Sequence, residues 1–99
     1  VRNMEKILNA YECMYVIDGG YSEEATAALV QKFTDLIAKH GTIVNVDEWG
    51  KRRLAYEIDH KNEGYYVVVD FQSESEFPAE LSRVMGITDG ILRCMIVRK

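Results

Sequence analysis

The chain runs through one plan twice, and that repetition narrows its fold more than any other feature. In 16-VIDGGYSEEATAALV-30 an apolar strand leads through an aspartate and a Ser-Glu pair into a helix, and 68-VVDFQSESEFPAELSRV-84 follows the same course. Each helix then needs an apolar face to cover, and each strand needs a neighbour for its backbone groups.

The elements between the repeats complete the topology. The stretch 11-YECMYVID-18 is aromatic and β-branched and ends at 18-DGG-20, which marks a strand and its turn. Ser22 caps a helix running to residue 40, with Glu23 and Glu24 at the positive end of its dipole. Ala25, Leu29, Phe33, Leu36 and Ile37 recur at helical spacing as its buried stripe. Gly41 is expected to end it in a left-handed conformation. A long second strand follows as 42-TIVNVDEW-49 and 51-KRRLAYEI-58, and Gly50 between them predicts a bulge. The turn 59-DHKNEG-64 returns the chain into 65-YYVVVDF-71. A second helix spans 75-SEFPAELSRVM-85, with Pro78 in its first turn and Leu81, Val84 and Met85 on one face, and 91-ILRCMIVR-98 closes the chain. Strand, helix, strand, strand, helix, strand: two right-handed crossover units joined by a hairpin give a ferredoxin-like α+β sandwich. Its four-stranded antiparallel sheet carries both helices on one face, with the first and third strands central. Ninety-nine residues make one such domain, 11–99, behind a leader, 1–10, expected to be poorly ordered.

Side chains alternate between the two faces of a strand. Tyr11, Cys13, Tyr15 and Ile17 are therefore expected to face the helices, as are Tyr65, Val67, Val69 and Phe71, and Leu92, Cys94 and Ile96. The open face receives Glu12, Met14, Val16 and Asp18, then Tyr66, Val68 and Asp70, then Arg93, Met95 and Val97. A solvated sheet face should be polar, yet Met14, Val16, Tyr66, Val68, Met95 and Val97 make this one apolar. Such a patch rimmed by charge usually marks a protein-partner surface; the alternative is that β-propensity alone keeps apolar residues on these strands.

Charge is unevenly placed. The net charge is −4, but the predicted helices hold Glu23, Glu24, Asp35, Glu74, Glu76 and Glu80 against Lys32, Lys39 and Arg83. An anionic partner would meet the sheet side. No apolar run approaches the roughly 20 residues that cross a bilayer. Cys13 and Cys94 are too few and too far apart for a metal cluster and read as buried thiols, with a disulfide as the alternative. Catalysis has little to stand on: His40, expected to cap the first helix, and His60, in the turn, lie far from any cysteine. The stretch 18-DGGYS-22 lacks the spacing and lysine of a phosphate loop. Acyl-phosphate hydrolases of this topology need an arginine after the first strand, and none occurs between Tyr11 and Gln31. Base stacking of the RNA-recognition-motif type fits poorly, because 63-EGYYVVVDF-71 places Glu63 and Asp70 where phosphate would be repelled. No cofactor or small-molecule substrate is indicated.

The densest positive charge, Lys51, Arg52 and Arg53, lies inside the second strand. Charge on an edge strand discourages unwanted pairing, but the planar fork of arginine also suits phosphate oxygens. Three phosphate contacts give a log–log salt slope of only about −2 to −3. Selective binding by an acidic chain would need a helper on the same RNA, and the apolar open face offers it a seat.

The stretch 49-WGKRRLAYEID-59 resembles the signature of the bacterial small-subunit ribosomal protein six family. The opening strand, the helix start 22-SEE-24, the hairpin end 64-GYYVVVDF-71 and the closing 92-LRCMIV-97 extend the resemblance over nearly the whole chain. It implies a non-enzymatic, ribosome-bound, cytoplasmic protein that binds the central domain of small-subunit rRNA as a heterodimer with small-subunit ribosomal protein eighteen. It also implies Lys51, Arg52 and Arg53 as RNA contacts, with Arg93 and Arg98 behind them, and the patch around Met14, Val16 and Met95 as the partner's seat. A protein-binding module or homodimer without an RNA role is the alternative.

Overall fold

The computed structural model describes residues 8–58 and 61–99. Its elements are β1 (Asn9–Asp18), α1 (Glu23–His40), β2 (Gly41–Ile58), β3 (Lys61–Ser73), α2 (Phe77–Gly86) and β4 (Ile91–Arg98). The sheet order is β2-β3-β1-β4 with every neighbouring pair antiparallel, the ferredoxin-like βαββαβ arrangement. Asn9 and Ala10, assigned above to the leader, already belong to β1; residues 1–7 and the turn residues 59 and 60, His60 among them, lie outside the described residues.

Both helices pack on one face, and the core lies between. Tyr11, Cys13, Tyr15 and Ile17 of β1 meet Val67, Val69 and Phe71 of β3 beneath Phe33 and Ile37 of α1 and Leu81 and Met85 of α2. Each large apolar side chain buried there stabilises by about 1.5–3 kcal/mol. Aromatic pairs fix the layers. Tyr15 meets Phe33 edge-on at 5.5 Å, Phe77 meets Phe71 likewise at 5.9 Å, and His40 stacks on Phe77 at 5.0 Å. His40 thus joins the end of α1 to the start of α2.

Ser22 caps α1 as expected, its hydroxyl accepting from the Ala25 amide at 3.1 Å. The buried stripe is centred one residue further on, at Thr26, Val30, Phe33 and Ile37, with Leu29 and Leu36 at its margin. Gly41 is not left-handed: φ is −166°, and the chain passes directly from helix into strand. A glycine is needed there because a Cβ would run into the Gln72 carbonyl of β3. In β4 the core positions are Ile91, Cys94 and Ile96 rather than Leu92, because the register slips between Val16 and Ile17 and makes Leu92 the extra residue.

Candidate nucleic-acid and partner interface

β2 is one strand whose register with β3 shifts three times, between Ile43 and Asn45, between Glu48 and Gly50 and between Arg53 and Ile58. The first two shifts leave Val44 and Trp49 as the extra residues. Gly50 sits at φ +87°, a conformation that L side chains rarely adopt. Trp49 lies on the open face beside Asp47, as alternation dictates, and the bulge brings Gly50 onto the same face opposite Tyr66. The Trp49 indole stacks on the Tyr66 ring at 6.1 Å and 10°, and its Nε1 donates to Asp47 Oδ2 at 3.1 Å. Trp49 remains 45% exposed.

Beyond the bulge, alternation separates the three cations. Arg52 lies opposite Gly64 and so on the open face, where its Nε and Nη2 donate to the Trp49 carbonyl at 3.4 and 3.3 Å. Lys51, opposite Tyr65, and Arg53, opposite Glu63, point to the helix side. All three are exposed, and none is held in an ion pair among the described residues. Lys51 lines a cleft of about 400 Å³ under the start of α1 with Asp18, Glu23, Glu48, Tyr21 and Tyr65. There the Tyr65 hydroxyl donates to Glu48 at 2.7 Å, and this bond raises the tyrosine's pKa above its ordinary value. The cluster is therefore an edge with cations on both sides.

The second-rank cations are far apart. Arg93 lies on the open face opposite Val16, three strands from β2. Arg98 is at the other end of β4, opposite Tyr11, and donates to Asn9 at 2.9 Å. The structure does not bring Arg98 near the Lys51–Arg53 edge.

The open face is graded along the strands. One end carries the row Asn45, Asp70, Glu12 and Val97; the next carries Asp47, Val68, Met14 and Met95. Then come Gly50, Tyr66, Val16 and Arg93, and finally Arg52, Gly64 and Asp18. Acid, apolar and basic zones follow one another over six residues of β1, roughly 20 Å. Of the six predicted partner residues, Met95 and Val97 are 47% and 44% exposed, and Met14 and Tyr66 are half-buried. Val16 and Val68 are buried. Val16 fills the notch where Gly64 has no side chain, with Leu54 on the same spot, so it is floor rather than contact surface.

Among the described residues no nucleophile is poised. Cys13 is buried and its thiol is pushed up to about 12, chiefly by loss of water; Cys94 is half-buried, and both thiols are free. Among the described residues no cluster of His, Cys, Asp and Glu is placed to hold a metal. No helix among the described residues is long and apolar enough to cross a membrane. Trp49 is the functional candidate that the sequence left open; the Trp-Gly step at a strand interruption was its signal.

Comparison with known proteins agrees with this geometry. The family profile described as Ribosomal protein S6 matches residues 10–98. The small ribosomal subunit protein bS6 of Thermoanaerobacter pseudethanolicus is 50% identical over 92 residues, covering 92% of this chain and 97% of that protein. That of Clostridium novyi is 49% identical over 88 residues, covering 88% and 93%. The crystal structure of 30S ribosomal protein S6 from Thermotoga maritima superposes with a TM-score of 0.88 at 32% identity, covering 94% of this chain and 89% of its own. The chain belongs to the ribosomal protein S6 family, whose members are structural, non-enzymatic components of the small ribosomal subunit.

Proposed function

We propose that this chain binds the central domain of small-subunit rRNA along its β2 edge, paired with small-subunit ribosomal protein eighteen on its open face. Lys51, Arg52 and Arg53 take phosphates, with Arg93 extending the contact across the sheet and Arg98 a separate contact at the far end of β4. Met14, Tyr66, Met95 and Val97 form the surface for the partner, over a floor of Val16 and Val68.

The observation that carries this reading is Arg52. Its guanidinium leans on the Trp49 carbonyl beside the bulge, exposed and without a carboxylate partner among the described residues, next to the apolar strip. An arginine pre-positioned in this way loses less side-chain freedom on meeting a phosphate.

Filter binding of a central-domain rRNA fragment across a salt series, with and without the partner, tests it. The expected result is weak binding alone and marked strengthening with the partner. Replacing Arg52 and Arg53 together by Ala should make the salt slope shallower by about 1–2. Equal affinity and slope in the double variant would refute the phosphate role.

A further inference from the structure

The acid end of the open face contains two facing carboxylates of which the described residues pair only one with a cation. Glu12 of β1 and Asp70 of β3 are direct register partners. Their neighbours Tyr11, Cys13, Val69 and Phe71 are in the core, so both carboxylates project from the open side. Side chains directly opposite in an antiparallel pair stand about 4.5–5.5 Å apart at Cβ, and like charges there are destabilising. Asp70 Oδ1, an enclosed oxygen, is ion-paired with Lys99 Nζ at 3.2 Å and takes no further hydrogen bond. Glu12 has no ion pair among the described residues. The next row inward is the apolar Val68, Met14 and Met95, with Asp47 at its edge.

Building on the partner reading above, we infer that the basic partner inserts an arginine between Glu12 and Asp70 while its apolar side chains cover Met14, Met95 and Val97. The chemistry selects arginine. Two carboxylates at this spacing present oxygens to both arms of a planar guanidinium, whereas an ammonium meets them as a point charge, as Lys99 does on one side only. Position matters as well. The pair lies roughly 20 Å along the sheet from Arg52, so one face holds a basic protein at one end and leaves the other end to phosphate.

The test measures association of purified small-subunit ribosomal protein eighteen with the full chain by calorimetry at several salt concentrations. Glu12→Gln and Asp70→Asn keep shape and remove charge, and Glu24→Gln on the outer surface of α1 is the charge-matched control. Glu12→Gln and Asp70→Asn should each weaken association about tenfold and flatten its salt dependence, with Glu24→Gln unchanged. Glu12→Gln should meanwhile unfold at the same or higher urea concentration than the parent, a sign that a merely structural role would not give. If Asp70→Asn, which also releases Lys99, fails to fold, Glu12→Gln decides alone. Parent-like affinity of Glu12→Gln, or equal weakening by Glu24→Gln, overturns the inference and leaves the partner reading standing. Failure of the parent chain itself to bind overturns both.

Discussion

Gly50 and Gly86 offer a matched pair of substitutions that isolates the backbone at the β2 bulge. A Cβ added at either glycine meets nothing within 4 Å, so neither Gly50→Ala nor Gly86→Ala introduces a clash. They differ in conformation: Gly50 sits at φ +87°, and Gly86 is the last residue of α2 without a positive φ. An L side chain in the left-handed region costs about 1–2 kcal/mol. Reducing the freedom of the unfolded chain offsets about 0.4–1 kcal/mol of that. Gly50→Ala should therefore destabilise by about 1 kcal/mol, or 4–8 °C in Tm for a domain of roughly this size. Gly86→Ala should stabilise by about 0.5 kcal/mol through helix propensity. The opposite signs, read from urea unfolding followed by far-ultraviolet circular dichroism, are the outcome to look for. The emission of Trp49, the chain's single tryptophan, should also shift in Gly50→Ala as its stack on Tyr66 loosens, and stay put in Gly86→Ala. Two substitutions of the same sign, or an unchanged Gly50→Ala, would refute the claim that backbone conformation at this bulge holds the Trp49 face in place.

Tyr15 is buried with a hydroxyl that takes no hydrogen bond, so Tyr15→Phe should be neutral or stabilising by up to about 1 kcal/mol in urea unfolding. In the native protein a thiol reagent at pH 8 should modify Cys94 alone. Cys13, buried and with its thiol pushed up to about 12, should react only when urea unfolds the chain. Tyr65 in the folded state ionises above its ordinary value of 10.0 because it donates to Glu48. The stability from that bond is complete below pH 10 and falls as pH rises through the folded value; Tyr65→Phe should flatten this alkaline loss in a pH series of urea midpoints.

How much the sequence disclosed depended on whether a residue's setting was local. The bounds of β4, the Ser22 cap and the inward set of β1 and β3 follow from period and capping chemistry, and all three appear as expected. Gly50 correctly marked a bulge. What alternation could not reveal is where registers slip between strands distant in sequence. The shift beside Ile17 that puts Ile91 in the core is set by pairing of residues some seventy apart. Gly41 was misjudged because its constraint comes from the Gln72 carbonyl on the neighbouring strand, not from the helix it follows. Likewise Val16 shows the right face and the wrong exposure, since only the fold brings it against Gly64. For the cations the sequence supplied the cluster, and pairing with β3 divided it between the two sides of the edge.

The graded open face has a consequence for how an acidic chain meets a polyanion. In physiological salt a fixed charge is felt over about 8 Å, well short of the distance between the two ends of that face. An incoming phosphate chain near Arg52 thus senses the local field and hardly the carboxylates at the far rim. The molecule behaves as a dipole rather than a uniformly repelling sphere, and diffusional encounters that begin in the wrong orientation are rotated toward the right one before contact.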